Sequence, residues 1–130
     1  MTNSRQKGAR GEREWAQYLR ELGFVDARRG QQFSGSPDSP DVAGGIPCTH
    51  PEVKRVERLN LHDAMKQAVR DAGDAIPYVA HRRNREDWLV TLRADDLRMF
   101  CAALLDGLEQ DRSEDRKQTA KQPPDPRLDS

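Results

Sequence analysis

Apolar residues recur along this chain with two different spacings, and the switches between them mark out its elements. Over residues 10–22, Trp15, Tyr18, Leu19 and Leu22 fall at i, i+3, i+4 and i+7, the stripe of an amphipathic helix, and Gly23 supplies a stop. Residues 24–29 alternate weakly and predict a strand; the Gly/Ser/Pro-rich residues 30–40 predict a loop. Short strands are expected over residues 41–46 and 52–56, separated by a turn region at Gly44-Gly45. Asn60, with Asp63 three residues on, has the form of a helix cap, and Leu61, Met65, Ala68, Val69 and Ala72 continue as a second helical stripe ending near Gly73. Residues 76–81 and 88–92 are apolar enough for buried strands, joined by an Arg-rich segment from His81 to Arg85. A last helix is expected over residues 94–109. Asp95 and Asp96 lie in its first turn, where the helix dipole favours acids, and Leu97, Phe100, Cys101, Leu104, Leu105 and Leu108 form its buried face.

The order helix, three strands, helix, two strands, helix predicts an α/β domain with a mixed central sheet of about five strands flanked by helices. That domain spans residues 1–110. Residues 111–130 are charged, contain Pro123, Pro124 and Pro126, and have only Ala120 and Leu128 as apolar residues, so a disordered polar tail is expected. Composition agrees with a small core under a highly charged surface: of 130 residues, 35% are hydrophobic and 34% charged. No apolar run approaches the ~20 residues that cross a bilayer, and residues 1–10 lack the apolar middle of a secretory signal. A soluble, cytoplasmic protein is expected. Cys48 and Cys101 make neither a disulfide framework nor a CxxC-type zinc motif, and pairing Cys48 with His50 falls short of a zinc donor set.

Chemistry concentrates around one group of charges. Pro40-Asp41 is followed, after ten intervening residues, by Glu52-Val53-Lys54. On a strand, alternate residues share a face, so the Glu52 carboxylate and the Lys54 ammonium meet at one spot. This is the layout of a metal-dependent phosphodiester hydrolase: a dication with hard oxygen ligands activates water and neutralises developing charge, and a nearby amine assists. Asp41 is favoured over Asp38 because Val42 and Ala43 continue from it as a strand. Pro51, directly before Glu52, predicts that the strand begins at Glu52 or lies at an edge. The formal net charge is zero. Basic residues nevertheless cluster, at Lys7, Arg10 and Arg13, at Arg28-Arg29, at Lys54-Arg55 with Arg58, and at His81 to Arg85, while Asp71, Asp74, Asp95, Asp96, Asp106 and Glu109 balance them from elsewhere in the sequence. One basic and one acidic face suits a nucleic-acid partner; a solvated mixed-charge exterior accounts for the same charges equally well. Lys66, Gln67 and Arg70 share the polar side of the second predicted helix.

The run Lys7-Gly8-Ala9-Arg10-Gly11-Glu12, the helix after it, Pro40-Asp41-Val42, Glu52-Val53-Lys54-Arg55 and Val79-Ala80-His81-Arg82 together resemble the PD-(D/E)XK nuclease superfamily. Within it the chain looks most like the small Holliday junction resolvases of archaea and bacterial viruses, over roughly residues 7–108. The resemblance implies a restriction-endonuclease-like αβββαββα order and an Mg2+-dependent endodeoxyribonuclease, with Mn2+ as a substitute ion. It assigns the metal to Asp41, Glu52, the Val53 backbone carbonyl and Glu12, and the catalytic amine to Lys54. The phosphate backbone would then be held by Lys7, Arg10, Arg28, Arg29, Ser34, Arg55, Arg58 and Arg82. A homodimer acting on branched or four-way-junction DNA is implied, in a bacterial host if the gene is a phage's. Three other readings stand beside it: a restriction- or repair-type nuclease of the same fold, a DNA-binding protein without activity, and a phage packaging or interaction protein.

Overall fold

The backbone of the computed structural model, which describes residues 4–30 and 41–119 and side chains from 8–30 and 41–110, is α/β. In chain order it comprises α1 (Ser4–Leu22), β1 (Arg28–Arg29), β2 (Val42–Ala43), β3 (Thr49–Arg55), α2 (Leu61–Ala72), β4 (Ile76–Arg82), β5 (Leu89–Leu92), a 3-10 turn (Ala94–Asp96) and α3 (Leu97–Thr119). The element order is the expected one. The single sheet of about five strands is not: β3, β4 and β5 form a three-stranded sheet in that order, and β1 and β2 form a separate two-stranded ribbon. β3 runs parallel to β4 with Glu52 opposite Val79, and β5 returns antiparallel. In the ribbon, Arg28 lies opposite Ala43 and Arg29 opposite Val42.

Local chemistry accounts for the element ends. Asn60 caps α2, its side-chain oxygen accepting from the Asp63 N–H at 3.1 Å, and Gly73 closes it with φ of 57°. α1 begins six residues before the expected start. β1 and β2 are two residues each, shorter than expected, because Gly44, at φ of 73°, turns the chain directly after Ala43. β3 is longer than expected and starts at Thr49, upstream of Pro51. α3 continues to Thr119, past the expected boundary at residue 110; the rest of the predicted tail, residues 120–130, lies outside the described residues, as does most of the predicted loop.

Two clusters of buried side chains sit on opposite faces of the sheet. On one face, Trp15, Ala16 and Leu19 of α1 and Phe100 and Ala103 of α3 cover Val53, Ile76, Tyr78 and Ala80. On the other, Ala64 and Ala68 of α2 cover Val79. The expected stripes are partly shifted: Tyr18, Leu22, Leu97, Cys101 and Leu105 are exposed. The face that α3 buries is set by Gly107, where a Cβ would stand 2.6 Å from Phe24, so the helix approaches along the Phe100–Ala103–Gly107 line. Gly11 does the same for α1, since a Cβ there would meet the Arg55 Cβ at 3.0 Å. α1 therefore lies against β3 one residue before Glu12.

The buried Trp15 indole N–H donates to the Tyr78 hydroxyl at 3.1 Å, tying α1 to the central strand, and the Phe100 ring meets Tyr78 edge-on. Tyr78→Phe leaves that indole N–H without its acceptor, and thermal or urea denaturation should register a loss of about 1–3 kcal/mol.

Candidate metal centre at the sheet edge

β3 is an edge strand of its sheet, and what covers its free side defines the site. The Val53 N–H points away from β4 and donates to the Asp41 carboxylate at 3.1 Å. N–H groups two residues apart point the same way along a strand, so the position of Pro51 also faces this free edge. Proline there removes no ladder bond, which explains why β3 runs through it. The Val53 carbonyl, on the same residue as the outward N–H, faces the same edge. Asp41 thus takes, with a side chain, the place that a neighbouring strand's carbonyl would take. This is also why the ribbon and the three-stranded sheet do not merge into one.

Three carboxylates converge on this edge from different elements. Glu52 projects on the α2 face of β3 with Lys54, whose ammonium lies 3.3 Å from its Oε1. Glu12 arrives from α1, 8% exposed, and accepts from Arg29 of the ribbon at 2.7 Å. The Asp41 charge raises the pKa of both carboxylates. Burial is the largest cause of a raised pKa in all three. Glu52 is pushed up to about 7, by desolvation first and by the Asp41 charge second, with Lys54 opposing. Asp41 is raised by burial against the Val53 N–H, His50 and Lys54, and Glu12 by burial against Arg29. Such a set is short of positive charge, and its donors are the hard oxygens that suit magnesium or manganese. Asp41 and Glu52 supply two such oxygen donors, and the Val53 carbonyl faces the same edge as the Asp41 bond. Glu12, held by Arg29, borders them.

The sequence placed Asp71 among acids remote from this centre, and the fold corrects that. His50, Glu52 and Asp71 are the group of three among the described residues whose donor atoms all lie within 4.8 Å of one another; Glu12, Asp41 and Glu52 do not form so tight a group. The signal was weak because Asp71 comes from the last turn of α2, and only the parallel packing of β3 and β4 beneath that helix brings it over Glu52. Cys48 is exposed and stands outside this group.

The expected phosphate contacts divide. Glu14, two residues beyond Glu12 on α1, takes Arg55 at 2.7 Å, Arg10 at 3.2 Å and Arg82 at 3.7 Å. Arg29 is held by Glu12, and Arg28 donates to the Asp26 carbonyl at 3.1 Å. Arg58 of the expected set lines a groove of about 510 Å³ with Lys54, Lys66, Gln67, Arg70 and Asp63, while Arg10, Arg28 and Arg29 line another, of about 320 Å³, with Arg13 and Arg20. Ser34, the rival acid Asp38 and the Lys7 side chain lie outside the described residues.

All three carboxylate shifts have the same sign, so the folded, metal-free protein retains protons that the unfolded chain releases. Glu52's contribution to stability is fully present below about pH 4.5 and is lost as the pH passes about 7. Denaturation in chelator should show Glu52→Gln gaining on wild type as pH rises from 5 to 8, by on the order of 1–2 kcal/mol after allowance for solvent screening. An unchanged difference would contradict this electrostatic account. No family model, curated protein or solved structure matches the chain, so the reading of this centre rests on its own residues.

Proposed function

We propose that this chain is a magnesium-dependent DNA endonuclease of the PD-(D/E)XK type, acting on branched DNA such as a four-way junction and working as a dimer. The observation that carries the reading is the edge of β3, where Asp41 caps the Val53 N–H beside the Glu52–Lys54 pair. Asp41, Glu52 and the Val53 carbonyl would hold the ion, with Mn2+ able to replace it. When bound, the dication lowers the pKa of water and neutralises charge developing on the phosphate. Lys54 supplies a positive donor next to that position, suited to a phosphate oxygen or to the attacking water. Glu12, paired with Arg29, would supply a further carboxylate beside the ion.

The groove lined by Lys54, Arg58, Lys66, Gln67 and Arg70 leads from Lys54 along α2 and supports a path for the sugar–phosphate backbone. Arg55 and Arg82, paired with Glu14, serve the fold first. Leu89 and Val90 are exposed on edge strand β5, one on each face, and are apolar surface that a dimer would cover. No described helix is long and apolar enough to cross a membrane.

Incubation of the full chain with labelled four-way junction, flap, single-stranded and linear duplex DNA, with and without Mg2+, tests the reading. Junction cleavage in Mg2+ supports it. Equal cutting of linear duplex selects a restriction- or repair-type nuclease. Binding without cleavage in either Mg2+ or Mn2+ selects an inactive DNA-binding protein, and no binding at low salt selects a packaging or interaction protein. Asp41→Asn and Glu52→Gln should each lower cleavage by a factor of about 100 or more while junction binding persists. Lys54→Ala should silence cleavage without unfolding the domain. Turnover retained in both carboxylate variants would remove the proposed site.

A further inference from the structure

The geometry points to a second cation site, at His50, Glu52 and Asp71, that takes a first-row transition dication of the zinc class in preference to magnesium. It shares Glu52 with the centre at the sheet edge but does not depend on the nuclease reading. One ligand atom from each of the three residues lies within 4.8 Å of the others. Donors around a common zinc ion stand about 3.4 Å apart, so a shift of about 1 Å or less at each side chain completes the set.

The state of His50 is the second observation. It is only 7% exposed, yet among the described residues no hydrogen bond or ion pair takes up its ring, although that ring faces two carboxylates. A buried imidazole ordinarily has a partner. No described side-chain nitrogen or oxygen that is closed to solvent lacks one, so the unbonded ring nitrogen remains reachable from solvent. Asp71 is equally unexplained by its helix. It lies in the last turn of α2, against the negative pole of the dipole, where an acid is unfavourable. No described hydrogen bond or ion pair compensates it. A dication bound by the His50 nitrogen and the oxygens of Glu52 and Asp71, with water completing the shell, satisfies all three groups at once. The nitrogen sets the preference: imidazole suits zinc, cobalt and nickel, whereas magnesium takes oxygen ligands and keeps its waters.

Cobalt(II) provides the test, because its visible absorption reports on bound nitrogen and its displacement by Zn2+ reports competition. Titrated into the full chain at neutral pH, Co2+ should bind and be displaced by Zn2+ but not by equimolar Mg2+. His50→Gln and Asp71→Asn should each weaken Co2+ binding at least about 10-fold, and Asp41→Asn should retain it. A cooperative thermal transition in every variant confirms that folding is preserved, with His50→Ala as a second imidazole deletion. Wild-type affinity in His50→Gln and Asp71→Asn overturns the site. So does loss of Co2+ in Asp41→Asn alone, which would place the ion at the sheet edge. A chain that binds Co2+ through His50 yet cuts no DNA retains this site and rejects the nuclease reading, and the converse result separates the two in the other direction.

Discussion

The hydrogen bond from the Val53 N–H to the Asp41 carboxylate is the constraint around which this molecule is arranged. An edge strand presents unpaired N–H and C=O groups, and folds ordinarily cover or blunt them. Here β3 is blunted twice, by a proline that has no N–H to offer and by an aspartate that occupies the next outward donor. No strand can dock at that place. The ribbon and the sheet therefore stay separate, and Asp41, Glu12 and Glu52 gather near where they meet.

That gathering of carboxylates is electrostatically expensive. Glu52, Asp41 and Glu12 are all pushed toward protonation by burial, and they repel one another through Asp41. Arg29 relieves Glu12, and Lys54 relieves Glu52, but Asp41 has only a backbone N–H and more distant cations. Asp71 adds a further negative charge that raises both Asp41 and Glu52. Packing alone gives no reason to assemble four acids at one strand edge, because replacing them with apolar residues would lower this cost. The cation proposed for this edge would give one, because its charge would offset the repulsion. The stable core beneath, anchored by Trp15 against Tyr78, holds β3 in place while its edge carries that load.

Much of this was legible from spacing. The i, i+2 relation of Glu52 and Lys54 put them on one face, and the Asn60 cap and Gly73 stop bounded α2 correctly. Pro51 announced an edge. What spacing could not convey was anything set by side-chain-to-backbone contact or by helix placement over a sheet. Asp41 reads as a loop acid or a ligand, not as a substitute for a strand, so one sheet was expected where two stand. Asp71 looked remote because nineteen positions separate it from Glu52 in the chain, a distance that the β3–α2–β4 crossover folds to nothing. Runs of arginine are similarly silent about their partners: Glu14 recruits Arg10, Arg55 and Arg82 from three different elements, and no local pattern identifies it as their hub. The stripe on α3 shifted because Gly107, rather than its leucines, decides which side comes closest to Phe24.

Anomalous diffraction from Mn2+-soaked crystals of the full chain tests the central claim most directly. The account predicts an anomalous peak at the edge of β3 within bonding distance of the Asp41 and Glu52 carboxylates and the Val53 carbonyl. Crystals whose Mn2+ peaks all lie elsewhere, with Asp41 still bonded to the Val53 N–H and no ion between it and Glu52, would contradict it.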